Sequence, residues 1–406
     1  MIILNEGVTA PKGFTAAGLH AGIKKEKDDM AMLLSAVPAA AAGTFTTNVV
    51  KAAPVKWDQA VVETSAYAQA VVVNSGVANA CTGPEGYADC EAMAAQAGKA
   101  LGIPADAVLI ASTGVIGAPM PMPVILPGID ALAKALAPGR AAAAAAAGAI
   151  MTTDTKPKEA ACEIVLDGKP VKVAGMCKGS GMIHPNMATM LCFVTTDAAV
   201  AKPTLQKALR AVVEDTFNMI SVDGDTSTND SVLVLANGMA GNETLTEESP
   251  ELPIFVDALA WVLRELSKMI AGDGEGCTCL FTVEVQGAAT KADAKTLARS
   301  VAASSLVKAA LFGHDANWGR ILCALGYAGV PFDPDKVDLW VESSAGCLKL
   351  VENGRGTGYS EDFATQILSQ EEITARVLLA EGEAEATAWG CDLTYDYVKI
   401  NGDYRS

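Results

Sequence analysis

The residues able to do chemistry are few. The 406-residue chain has three histidines, His20, His184 and His314, and ten cysteines, of which only Cys277 and Cys279 form a close pair. No histidine stands at ligand spacing from another or from a cysteine, so a zinc site is not expected. Asp223-Gly-Asp225-Thr-Ser227-Thr-Asn229-Asp230 opens like a calcium loop. Thr228 takes the place of the required glycine, however, and Val234 that of the bidentate glutamate. The expectation is an Asp/Asn-rich turn whose side chains cap backbone N–H groups. Gly354-Arg-Gly356-Thr-Gly358 lacks the strand and the Lys-Ser/Thr of a phosphate loop, and Lys178-Gly179-Ser180-Gly181 has its lysine ahead of the glycines. His314-Asp315 comes without a Gly-x-Ser-x-Gly elbow, and adjacent residues rarely orient each other. What remains is Lys178-Gly-Ser-Gly-Met-Ile-His184-Pro-Asn186-Met-Ala188-Thr189-Met-Leu191, too rich in glycine and polar residues to be core until an apolar run begins at Thr189. Taken alone, such a threonine is a β-branched residue opening a strand.

The elements that must position these candidates alternate along the chain. Residues 70–73 and 108–112 read as short buried strands with an Ala-rich helix over 87–101 between them, which is α/β patterning. Two alternating runs between Cys162 and Val173 flank Asp167-Gly168, a hairpin signal, so antiparallel pairing is also required and the sheet should be mixed. Leu205, Ala208, Leu209 and Val212 form one helical stripe, and Phe255, Leu259, Val262, Leu266 and Ile270 another. Strands are expected at 280–285 and 337–341, and the alanine tract 141–147 as a close-packing helix. Cys162, Cys192 and Cys323 sit in apolar segments, where reduced cysteine behaves as a small buried hydrophobe.

Composition bounds the class. Half the residues are hydrophobic and 30 basic against 47 acidic residues leave a net charge of −17, so nucleic acid and anionic membranes are poor partners. The apolar stretch from Val108 to Leu136 is interrupted by Pro119, Pro121, Pro123 and Pro127. No run reaches the roughly 18 residues of a membrane helix. The N-terminus lacks a basic n-region and an apolar h-region, so a cytoplasmic location is the expectation.

Several ordered islands then resemble one family: Asn74 to Gly83, Ala111 to Gly117, Met151 to Thr155, Lys178 to Leu191, Asp223 to Asp230, Gly272 to Gly276, Gly313 to Arg320 and Tyr397 to Ser406. In these stretches the chain is similar to the ornithine acetyltransferases, the glutamate N-acetyltransferase family of the cyclic arginine pathway. The resemblance implies a layered α/β sandwich with a mixed central sheet, of the self-cleaving N-terminal-nucleophile kind, with a smaller C-terminal subdomain. It also implies cleavage between Ala188 and Thr189 into an alpha chain of residues 1–188 and a beta chain of 189–406, which stay together as one folded unit, two of each in a heterotetramer.

By the same resemblance Thr189 is the nucleophile and its freed α-amino group, with a reference pKa near 8, the base. Thr113 and Gly114 furnish the oxyanion hole, and Thr152, Lys178, Thr189, Glu275, Asn401 and Ser406 bind substrate; the family often ends in threonine where this chain ends in Ser406. N-acetylornithine would give its acetyl group to Thr189 and then to glutamate without a cofactor, and some members also load the threonine from acetyl-CoA. N-acetylornithine carries a carboxylate and an ammonium, which call for one cation and one anion at fixed separation, matched by Lys178 and Glu275. Two other readings stay open at this level: a self-processed N-terminal-threonine amidase or aminopeptidase, and an uncut amino-acid binding protein.

Overall fold

Asp167 and Gly168 take left-handed backbone angles (φ 50° and 67°), which closes a two-residue turn between the antiparallel strands Lys158–Leu166 and Lys169–Lys178. The hairpin read from the sequence is therefore present, in a computed structural model that describes residues 1–184 and 190–403. The two strands belong to a nine-stranded mixed sheet. Its order is Ile2–Leu4, Lys158–Leu166, Lys169–Lys178, Leu191–Thr196, Ser231–Ala236, Met30–Phe45, Ala68–Val77 and Val108–Val115, with Phe14–Leu19 also paired to Met30–Phe45. Leu191–Thr196 runs parallel to Ser231–Ala236, and Ala68–Val77 parallel to Val108–Val115, while the other pairs are antiparallel.

A second sheet of seven strands is built from Ile220–Ser221 and from six strands that follow residue 279, and it supplies the smaller C-terminal unit. Helix Leu252–Ala271 contacts strands of both sheets. Its expected stripe is the reason: Phe255, Leu259, Val262, Leu266 and Ile270 are all fully buried, in a cluster that also holds Val173 of the first sheet and Val283 of the second. The stripe at Leu205, Ala208, Leu209 and Val212 lies on helix Lys202–Glu214 and is buried likewise. The alanine tract forms helix Arg140–Ala149, which packs on Phe14–Leu19 so closely that a Cβ at Gly18 would lie 2.1 Å from the Ala145 carbonyl oxygen.

One sequence expectation needs correction. Cys162 and Cys192 are buried, but Cys323 is exposed. On helix Trp318–Gly326 it faces away from Ile321, Ala324 and Leu325, which carry the apolar contact. The proline-interrupted stretch also holds a helix, Met122–Ala135, with Pro127 inside it. Among the described residues no helix is long and apolar enough to cross a membrane.

The strand that leads to Thr113 is anchored at its start by helix Ala53–Thr64. Trp57 Nε1 donates to the Val108 carbonyl (2.9 Å), and the fully buried Asp58 accepts from the Ile110 N–H (2.7 Å). Burial pushes the Asp58 carboxyl well above its ordinary value, and the one backbone N–H opposes this only in part. A raised folded-state pKa makes folding take up a proton, so the parent loses about 1.4 kcal/mol per pH unit above the ordinary carboxylate value of about 4 until the folded-state pKa is passed. Asp58→Asn keeps the acceptor without the charge. Its melting temperature should exceed the parent's at pH 8 and converge on it as pH falls toward 4; a variant less stable than the parent at pH 8 would contradict this.

Candidate active site

Three chain segments meet around a buried charge cluster. Lys158 opens a strand whose alternate residues Ala160, Cys162, Ile164 and Leu166 face the core, and it points the same way, fully buried. Its ammonium lies 2.7 Å from Asp154 Oδ1 and 2.5 Å from Asp273 Oδ2. Asp154 also accepts from the Gly179 N–H (2.7 Å) and the Thr152 N–H (3.0 Å), and its Oδ2 stands 3.8 Å from Lys178 Nζ. Asp273 accepts from the N–H (3.1 Å) and the hydroxyl of Thr155. Ser180 Oγ donates to the Asp273 carbonyl (2.6 Å), and the Ser180 carbonyl accepts from the Glu275 N–H (3.0 Å). Two lysines and two aspartates thus balance in charge and lock the segments bearing Thr152, Lys178 and Glu275 to each other.

Burial alone would raise the Asp154 carboxyl, but Lys178 and Lys158 outweigh it and hold it well below the usual range. Burial pulls the Lys158 ammonium down, and Asp154 and Asp273 more than restore it.

Thr113 and Gly114 sit at the end of Val108–Val115, in register with Ser75 and Gly76 of the neighbouring parallel strand. Gly114 has φ +131°, and a Cβ there would lie 2.3 Å from the Gly76 carbonyl carbon, so only glycine fits this turn. The Asp/Asn-rich segment braces it. Asn229 Nδ2 donates to the carbonyls of Ala78 (2.6 Å) and Ser112 (2.8 Å), and Asn229 Oδ1 accepts from the Thr228 hydroxyl (2.6 Å). Asp223 accepts from the N–H groups of Met182 (2.6 Å) and Ile183 (2.8 Å), the capping role expected of this turn. Met182 takes φ +56°, a left-handed conformation that costs a non-glycine residue on the order of 1 kcal/mol.

A cavity of about 160 Å³ is lined by Thr113, Gly114, Thr152, Lys178, Glu275 and Asn401, and its wall continues through Ile183, Met190 and Asn229. Six of the residues expected at the site thus share one cavity. Ala188, Thr189 and Ser406 lie outside the described residues. Ile183 and Met190 flank the Ala188–Thr189 bond in sequence. Lys178 is 7% exposed, and Glu275 is half-buried. Glu275 Oε2 accepts from Asn401 Nδ2 (2.8 Å), and a Cβ at Gly181 would come within 2.4 Å of the Glu275 carboxyl carbon. A larger cleft of about 1260 Å³ lies along the second sheet and touches neither the Thr113 turn nor Lys178.

His184 has a different role from that of a base. Its Nε2 is 3.2 Å from Arg299 Nη2, so it accepts there, and the Nδ1–H donates to Ser221 Oγ (3.0 Å). Burial, then the Arg299 charge, push its pKa down and keep the ring neutral.

Sequence reasoning missed Asp154, Lys158 and Asp273 as site residues. The usable signal was Lys158 itself, a charge in phase with the inward face of an otherwise apolar strand.

With this geometry in view, comparison with known proteins gives a consistent result. A profile of the ArgJ family matches residues 15–406. The arginine biosynthesis bifunctional protein ArgJ of Symbiobacterium thermophilum is 56% identical over 403 residues, 98% of each chain. The chain belongs to the ArgJ family. The ArgJ protein of Caldanaerobacter subterraneus is 50% identical over 406 residues, the whole of both chains. The crystal structure of ArgJ from Bacillus halodurans is 47% identical with a TM-score of 0.50, covering 52% of this chain and 98% of that one.

Breaking the charge cluster should be costly. Asp154→Asn strands Lys178 and leaves Lys158 with one counter-ion, which should destabilise the protein by about 3 to 5 kcal/mol at pH 7, read from the urea midpoint. A depressed carboxyl stabilises above its unfolded pKa and loses that contribution as pH falls, so the deficit should narrow below about pH 4. A variant as stable as the parent at pH 7 would contradict the assignment.

Proposed function

We propose that this chain is an acyltransferase of arginine biosynthesis that carries the acetyl group of N-acetylornithine to glutamate on Thr189, after cutting itself between Ala188 and Thr189 into chains 1–188 and 189–406. The observation that carries the proposal is the cavity itself. It joins a cation, Lys178, and an anion, Glu275, with the Thr113-Gly114 turn at the end of a strand paired in parallel with its neighbour. A substrate with an α-carboxylate and a side-chain ammonium pairs with both ends, which presents its acetamide to the remaining wall. The strained Met182 turn just ahead of the bond supports self-cleavage. So does the Bacillus halodurans structure, in which nearly a whole solved chain corresponds to about half of this one.

In the proposed reaction the Thr189 α-amino group takes the hydroxyl proton as Oγ attacks the acetyl carbon. N–H groups of the Thr113-Gly114 turn receive the developing oxyanion, each such donor being worth about 10² to 10³ in rate. The tetrahedral intermediate collapses, the C–N bond breaks, and the ornithine amine leaves with the proton. Glutamate then enters with its amine free, attacks the acetyl-threonine, and departs as N-acetylglutamate with the proton returned to Oγ. The bifunctional naming of the relatives extends the proposal to acetyl-CoA as a second acyl donor. Two pairs of cleaved chains would make the assembly.

Acetate release from N-acetylornithine that glutamate does not suppress would mark a hydrolase and overturn the transferase reading. Glu275→Gln tests the anion. It should lower kcat/KM for N-acetylornithine by about 2 to 4 kcal/mol if bound substrate shuts water away from the ion pair, because the ligand ammonium then loses its partner. For N-acetylnorvaline, which lacks that amine, the substitution should be nearly neutral. Equal losses for both donors would remove Glu275 from substrate selection.

A further inference from the structure

A fourth segment grips the peptide in front of Thr152. Lys24 Nζ donates to the Met151 carbonyl oxygen (2.6 Å), and the N–H of that same peptide unit, on Thr152, donates to Asp154 Oδ2 (3.0 Å). Asp154 Oδ2 in turn stands 3.8 Å from Lys178 Nζ. One peptide plane is thus held at its oxygen by an ammonium and at its nitrogen by a carboxylate, in the sense its own dipole favours. Each contact polarises the other and strengthens it.

The loop that presents Lys24 is fixed independently of this side chain. Asp29 is fully buried and accepts from the N–H groups of four consecutive residues, Ala21 (2.6 Å), Gly22 (3.1 Å), Ile23 (2.6 Å) and Lys24 (2.9 Å). The Asp29 carbonyl accepts from the Ser75 N–H (2.8 Å), and Ser75 is in register with Thr113. The loop also packs on Gly76, where a Cβ would lie 2.9 Å from Ile23 Cγ2 and 3.5 Å from Lys24 Cγ. It therefore joins the strand pair bearing the Thr113-Gly114 turn to the segment bearing Thr152. The second contact of the Lys24 ammonium is another carbonyl, that of Asp28 (3.0 Å), and among the described residues no carboxylate forms an ion pair with it. Lys158 and Lys178 face aspartates, whereas Lys24 faces backbone. Burial pulls its pKa down to about 8, with Lys27 and Lys178 acting in the same sense and Asp29 and Asp154 against it.

We propose that Lys24 is a positioning residue of the substrate cavity, which sets Thr152 against bound substrate by holding the Met151–Thr152 peptide opposite Asp154. The proposal takes from the acyltransferase reading only that the cavity binds ornithine-like molecules and that Thr152 touches them. A peptide held by its N–H alone can pivot about that one bond. The Lys24 contact on its oxygen removes the pivot. A ligand pinned at both charged ends cannot follow a wall residue that moves, so a small rotation of this peptide forfeits the Thr152 contact. Without the Lys24 ammonium the cavity keeps Lys178 and Glu275 and loses the alignment of one wall.

The test is ornithine binding by the full-length protein, measured by titration calorimetry at pH 7 for the parent, Lys24→Met, Thr152→Ala and the double variant. Lys24→Met keeps an unbranched apolar stem without the charge, and it should weaken ornithine by about 10-fold, the scale of one hydrogen bond to a charged group. Thr152→Ala should weaken it to a similar degree. In the double variant the loss should stay within about 2-fold of that in Thr152→Ala, because Lys24 then has no contact left to position. A lysine that is merely structural gives losses that multiply, to about 100-fold in the double variant, and that result would overturn the proposal. Unchanged binding in either single variant would do so too. Should Lys24→Met not melt cooperatively, Lys24→Gln replaces it in the same cycle. A parent that binds ornithine but transfers no acetyl group would sink the acyltransferase reading and leave this proposal standing, whereas a parent that binds no ornithine would overturn both.

Discussion

Asp154, Lys158, Asp273 and Lys178 form one neutral, dehydrated knot, and the geometry of the site hangs on it. Burying four charges gains little net stability, because desolvation consumes most of the Coulomb attraction. What the knot supplies is position. Each aspartate accepts backbone N–H groups as well as lysine protons, so the segment carrying Thr152, the end of the strand carrying Lys178 and the loop carrying Glu275 cannot shift independently. A pocket that recognises two opposite charges at a fixed distance needs such rigidity, since a small displacement of either end sacrifices a charge-assisted contact.

The two sheets serve the same end. Helix Leu252–Ala271 is held between them by its apolar stripe, and the loop after its last turn delivers Asp273 to the knot and Glu275 to the cavity. On the other side, parallel pairing of Ala68–Val77 with Val108–Val115 presses Gly76 against Gly114 and leaves the Thr113 turn exposed to the cavity, braced by Asn229. The site is therefore assembled from strand ends and a helix end, elements whose positions the core fixes.

The sequence made much of this legible, and the reasons differ by residue. The Asp167-Gly168 hairpin and the two helical stripes could be read because local backbone chemistry and periodicity decide them. Thr113, Gly114, Thr152, Lys178, Glu275 and Asn401 were expected together only through family resemblance, since no spacing rule links positions so far apart in the chain. Asn401 holds Glu275 in the cavity, and the missing side chain at Gly181 makes room for its carboxylate. Asp154, Lys158 and Asp273 went unread because a charge cluster formed by three separate segments leaves no local pattern beyond one inward-phased lysine. Cys323 misled for the opposite reason: its neighbours are apolar, but helical phase turns it to solvent.

The central claim is that an acetyl group rests on Thr189 after the chain has been cut before it. Freshly purified protein, held with N-acetylornithine in the absence of glutamate and quenched in acid, can be weighed intact by mass spectrometry. The account predicts two fragments that meet at Ala188 and Thr189, with one extra acetyl group on the fragment beginning at Thr189 and its loss when glutamate is added before the quench. An uncut chain that still transfers acetyl, or an acetyl group mapped to any other residue, would contradict it.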